Sequence, residues 1–178
     1  SVRIKVNKGY GYGILSGLKI CQGEFLGWTH ADLQTDPADV LAGLKIILRN
    51  EGRDIFIKGK RHNRPLVDAA FAWGMALFEF FLLGEKLWDI NAQPNIFPRS
   101  FFDSWNHPPH DFSLDLFAYT SAVKRGIEVR RIPVHFPARK AGFGSNDTLK
   151  SKIQFSIRTL KFSLTMRRQF RETHKNSH

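Results

Sequence analysis

His30, Asp32 and Gln34 alternate at the end of an apolar run, and Asp36-Pro37 follows directly. A carboxylate so placed can hold a hard divalent cation against a diphosphate, because Mg2+ takes only one or two protein carboxylates and leaves its other positions to water and phosphate oxygens. The imidazole of His30 suits Mn2+ better than Mg2+, and a histidine there can equally be a hydrogen-bonding neighbour. Asp36 has a plainer use as the cap of a helix whose first turn starts with Pro37. Asp32 is therefore the member of the cluster expected to bind a ligand.

Such a cluster needs a strand end to stand on, since ligands of open α/β sheets gather at the carboxyl ends of the strands. The apolar run from Glu24 to Trp28 reads as that strand. Before it, "VRIKV" alternates like a strand and "GYGYGILSGLKICQG" turns on glycines into a short helix. After it comes a helix with Val40, Leu41, Leu44, Ile47 and Leu48 on its apolar face, then a strand in "DIFIKGKR". A long apolar helix from about Leu66 to Leu83 leads into an irregular passage, "DINAQPNIFPRSFFDSW". A helix in "SLDLFAYTSAVKRG" stops at Gly126, and "EVRRIPVHF" is the last strand. Alternating strands and helices predict an α/β fold with a mostly parallel sheet and flanking helices.

"GYGYG" also raises the dinucleotide layout of strand, glycines, helix and a later acid. Ile14 and Ser16 follow Gly9, Gly11 and Gly13 where a further glycine is required, and tight turning accounts for the glycines.

The chain has 178 residues, enough for one domain with a core. Its single Cys21 and the lack of a leader-like start point to a reducing, cytoplasmic compartment. The longest apolar stretch, Phe71 to Gly84, falls short of the ~20 residues that span a bilayer and contains Glu79. Charge is uneven. Residues 1–120 hold 13 Lys+Arg and 13 Asp+Glu, while residues 121–178 hold 14 against 3, which is the whole net charge of +11. The carboxyl-terminal third is thus the part drawn to polyanions.

From Asp147 the chain reads as one basic amphipathic helix, with Ile153, Ile157, Leu160 and Leu164 on a stripe among Lys150, Lys152, Arg158, Lys161, Arg167, Arg168 and Arg171. That pattern fits either a helix lying on a membrane surface or one packed on the domain by its stripe.

Several segments in order carry a resemblance. "NKGYGYGILSGLKICQGEFLGWTHADLQTDPADV", "IKGKRHNR", "DINAQPNIF", "FSLDLFAYTSAVKRGIEVRRIPVHF" and "RKAGFGS" together resemble the family-2 glycosyltransferases, especially the dolichyl- and polyprenyl-phosphate sugar transferases. The resemblance implies a GT-A type, Rossmann-like fold over residues 1–146, lacking the amino-terminal unit that holds the nucleotide base, with residues 147–178 as a tail. It implies an inverting transfer from a nucleotide-diphosphate sugar to a lipid-phosphate or saccharide acceptor. The divalent cation, Mg2+ or Mn2+, would sit at Asp32 with Gln34 beside it, and His30 stands where the family has its first acid. By the same resemblance Arg61, Arg64, Arg139 and Ser145 face phosphates. Asp115 is the acid near the acceptor, and Asp89, Asn91 and Gln93 line the cleft, with Asn95 where relatives often have Lys.

A saccharide hydroxyl would need Asp115 as general base, whereas a phosphate acceptor is already ionised and needs none. Guanidinium forks and a cation suit the charge that builds on a leaving diphosphate. These expectations make the protein a peripheral enzyme on the inner face of a membrane. Two other readings stay open at this point. One is a basic module for nucleic acid, for which no recognised motif is present; the other is an inactive remnant that binds only membrane or a partner.

Overall fold

A computed structural model describes residues 1–31, 35–50, 52–62, 74, 80, 82, 84–85, 87–136, 157 and 159–168. Its elements are α1 (Tyr10–Ile20), β1 (Phe25–Trp28), α2 (Ala38–Leu48), β2 (Ile55–His62), β3 (Asn95–Pro98), α3 (Arg99–Asp103), α4 (Leu114–Lys124) and β4 (Glu128–His135). Residues 159–168 are also helical.

The strands lie in the order β1-β3-β2-β4. β2 and β4 are parallel over eight residue pairs, while β3 runs antiparallel to both β1 and β2. The sheet is therefore mixed, which corrects the expectation of a mostly parallel one. The strand that changes the count is β3, inside the passage read as irregular. It is four residues long, sits beside Pro94, ends in Pro98 and is buried at every position, so it offers no alternation to read. Because β3 alone is reversed, β1, β2 and β4 still point the same way and end on one rim.

Alternation along the strands sorts side chains to two faces. Ile55, Ile57, Ile96, Ile132 and Val134 form one core with Ile47 of α2. Here α2 lies so close that a Cβ on Gly43 would come within 2.8 Å of Ile96 and 2.9 Å of Ile57. The buried face of α2 follows Gly43 and Ile47, with Val40, Leu44 and Ile46 partly covered, whereas Leu41 and Leu48 are exposed. The stripe expected on α2 is thus half right. Asp36 caps the helix, its Oδ1 accepting from the Ala38 N–H at 2.8 Å.

On the other face Leu26, Trp28, Phe56, Phe97 and Phe101 pack with Leu15, Leu18, Leu114, Phe117, Tyr119, Leu87 and Met166. Helix α4 is buried from Leu114 through Ala122, the polar Asp115, Thr120 and Ser121 included. It ends where Gly126 adopts φ +71°. Ile127 N–H bonds Ala122 O at 3.0 Å and Gly126 N–H bonds Val123 O at 3.0 Å, the paired closure that a left-handed residue permits.

"VRIKV" is not a strand. Val2, Ile4 and Val6 are exposed, and no described strand pairs with them. Alternation becomes a strand only beside a partner. Among the described residues no helix is long and apolar enough to cross a membrane.

Candidate functional site

Register places one residue from each strand in a row across the sheet: Trp28 opposite Asn95, Asn95 opposite Lys58, and Lys58 opposite Arg131. The row lies beneath α4, next to the aromatic pair Phe56 and Phe97, whose rings stack at 5.5 Å. The chain thus inserts an ammonium and an amide into an otherwise apolar layer, and each must find partners there.

Lys58 Nζ donates to Asn95 Oδ1 at 2.9 Å and to Ala92 O at 3.0 Å, and stands 5.2 Å from the centroid of the Tyr119 ring. Asn95 Nδ2 donates onward to Asp115 Oδ1 at 2.9 Å. The other oxygen, Asp115 Oδ2, accepts from the Tyr10 hydroxyl at 2.8 Å, and that hydroxyl accepts from Gln93 Nε2 at 2.6 Å. Five side chains from α1, β2, the turn before β3, β3 and α4 form one continuous chain of hydrogen bonds. The indole N–H of Trp28 is close enough to draw down both Tyr10 and Asp115 but makes no hydrogen bond of good geometry.

Burial governs the titration of this network. Loss of hydration pulls Lys58 from 10.5 down to about 7, against the opposing attraction of Asp115. Burial also raises Asp115, and Lys58, Tyr10 and Asn95 hold it back. Tyr10 is pushed up by burial first and then by the Asp115 charge, so it remains a donor.

Beside the row a second cluster forms around Asp89. Arg61 Nε donates to Asp89 Oδ1 at 2.7 Å, with Arg61 Nη2 on the same oxygen, and the Arg61 backbone N–H reaches Asp89 Oδ2 at 2.9 Å. Arg131 Nη2 is 4.0 Å from Asp89 Oδ2 and donates to Gly59 O at 2.8 Å, while its Nη1 donates to Trp88 O. Lys58 feels Asp89, Arg61 and Arg131 as well as Asp115, so the clusters are electrostatically one. The backbone approach that allows this depends on Gly59. A Cβ there would stand 2.1 Å from Gln93 O, and its N–H bonds Pro94 O at 3.0 Å.

At the rim, Phe136 follows β4. The His30 ring lies 5.6 Å from the Phe136 ring, and the Arg61 guanidinium lies 5.1 Å from it. The Thr29 and Thr35 hydroxyls, on either side of residues 30–34, meet at 3.5 Å. His30, Arg61, Asp89, Gln93 and Asp115 are thus gathered at or just beneath the carboxyl rim. Asp32, Gln34, Arg64, Arg139 and Ser145 lie outside the described residues. Among the described residues no three His, Cys, Asp or Glu side chains group as ligands for a metal.

Sequence reasoning missed Tyr10, Lys58 and Arg131. Lys58 had a signal, a lone charge in the apolar strand "IFIKG"; Arg131 sat unremarked in "EVRRIPV". Tyr10 belongs to the glycine segment, whose glycines have a local cause. Gly9 takes φ +108°, and a Cβ on Gly11 would meet Pro109 O at 2.5 Å. They seat the 109–111 loop against α1, with Tyr12 N–H bonding His110 O at 2.9 Å. No protein-family model matches the chain, and no curated protein does.

Proposed function

We propose that this protein carries out glycosyl transfer of the family-2 type, moving a sugar with inversion from a nucleotide-diphosphate sugar to an acceptor at the carboxyl rim of the sheet. The observation that carries this reading is convergence. Arg61, Asp89 and Asp115, expected at such a site from three segments, surround Lys58 in one electrostatic cluster, and Gln93 joins it through Tyr10. A divalent cation, Mg2+ or Mn2+, held by Asp32 with His30 and Gln34, would neutralise the departing diphosphate. His30, at the end of β1 beside Phe136, fits that donor set. Arg61, fixed by Asp89, and Arg131, held by Gly59 O and Trp88 O, with Arg64, Arg139 and Ser145, meet the remaining phosphate charge.

The geometry of Asp115 bears on the acceptor. One oxygen receives Asn95 and the other Tyr10, and the residue is 2% exposed. A base for a saccharide hydroxyl must reach the proton it removes, and this carboxylate is engaged on both sides. Its part here is to orient Asn95 and Lys58. A polyprenyl phosphate arrives ionised and needs no base, which makes it the acceptor this arrangement favours.

The test is calorimetric titration of nucleotide-diphosphate sugars into the full chain with and without Mn2+, beside Asp32→Ala. Binding that requires Mn2+ and is lost in Asp32→Ala is expected; equal binding by the two proteins refutes the role of the cation site.

A further inference from the structure

Helical residues 159–168 dock on the domain by an unexpected side. Thr159, Ser163 and Met166 are buried, Met166 completely, and Phe162 packs against the larger core. The stripe that amphipathic spacing marks for burial is turned away: Ile157 is 45% and Leu164 51% exposed, and Leu160 is half-buried. This overturns packing by Ile157, Leu160 and Leu164 as the way the helix attaches; Ile153 lies outside the described residues. At about 100° per residue, Ile157, Leu164 and Arg168 fall within roughly 40° of one another and opposite Met166, with Lys161 and Arg167 at the flanks. Lys161, Arg167 and Arg168 are all exposed.

We infer that this outer face is a docking surface for an anionic lipid bilayer, with the helix lying in the headgroup layer. Ile157 and Leu164 enter the acyl boundary, while Lys161, Arg167 and Arg168 extend their apolar stems along it and set their charges among lipid phosphates. The charge of the chain agrees, since the whole +11 falls in residues 121–178.

Two other occupants fit less well. A second copy laid face to face would gather two sets of Lys161, Arg167 and Arg168 in one interface, and like charges there oppose association. A nucleic-acid strand is held by cations with aromatic platforms for its bases, whereas the described residues of this face, Ile157, Lys161, Leu164, Arg167 and Arg168, include no aromatic ring.

The inference is independent of glycosyl transfer, because vesicle binding is read with no sugar present. The experiment is flotation of the full chain with vesicles of phosphatidylcholine alone and of phosphatidylcholine mixed with phosphatidylglycerol. Three variants accompany it: Ile157→Gln/Leu164→Gln, Arg167→Gln/Arg168→Gln, and Leu41→Gln, which removes an even more exposed apolar side chain from α2. All change exposed residues, and circular dichroism verifies that each is folded. The wild type is expected to float with the mixed vesicles and much less with the neutral ones, with added salt weakening it. Each lost cation reduces partitioning about fivefold, the apolar double variant reduces it at least about tenfold, and Leu41→Gln leaves it unchanged. Equal flotation of wild type and both tail variants overturns the inference. So does a dimer, or a complex with single-stranded DNA, that these variants disrupt while vesicle binding stays as it was.

Discussion

Replacing Lys58 by Met should change how stability responds to alkaline pH. Lys58 is fully buried, and lost hydration draws its ammonium from 10.5 to about 7 despite the nearby Asp115 charge. A lysine with a depressed folded pKa holds its proton less tightly in the native state than in the unfolded one. Between about 7 and 10.5 the unfolded chain binds more proton at this position, so the contribution of Lys58 to stability rises with pH across that window. Going from about pH 7 to about pH 9 adds roughly 2 kcal/mol from this group. Met carries no proton, and its presence removes the cation that restrains the raised pKa of Asp115. A carboxyl held above its unfolded value loses stability as pH rises through the folded pKa, so the variant should be flat or falling where the wild type gains. Urea unfolding followed by tryptophan fluorescence, with Trp28 buried beside the network, measures both proteins across this range. Titrations common to the two cancel in their difference, and parallel profiles would refute the account of Lys58 as a desolvated ammonium.

Other substitutions probe the same architecture. Gly59→Ala places a methyl group 2.1 Å from Gln93 O and should cost about 3 kcal/mol or more in thermal unfolding. Gly17→Ala in α1, with nothing within 4 Å of the new Cβ, should instead stabilise by about 0.5–1 kcal/mol. Tyr10→Phe strips a partner from both Gln93 Nε2 and Asp115 Oδ2 and should cost about 1–3 kcal/mol, read from the urea midpoint. Asp89→Asn breaks the largely buried pair with Arg61 and should cost roughly 3 kcal/mol, with calorimetry recording the lowered melting temperature.

Helices α1 and α2 and strands β1, β2 and β4 were legible because glycine, proline and periodicity mark their limits within a few residues. Asp36 and Gly126 show why: each is tied to its own helix end, so local sequence suffices. β3 was hidden since a short, fully buried strand between prolines has no period. The tail helix shows a different limit. Periodicity identified its apolar stripe, but Met166, Ser163 and Thr159 won the docking side through fit to the core beneath α4, which no local pattern encodes. In the candidate site, the resemblance pointed to Asp89, Asp115 and Arg61. Lys58 and Arg131 were missed because their meaning lies in cross-strand register, which aligns residues 37 and 73 positions away from Asn95 and Lys58 respectively.

Among the described residues β4 stands at one margin of the sheet, and Pro133 lies within it, exposed. A strand margin is a template on which an unfolded or neighbouring chain can add itself by main-chain pairing. Proline contributes no N–H to such a ladder. A strand laid along β4 would find no N–H at position 133, and an interrupted line of donors is a poorer template for stacking than an unbroken one.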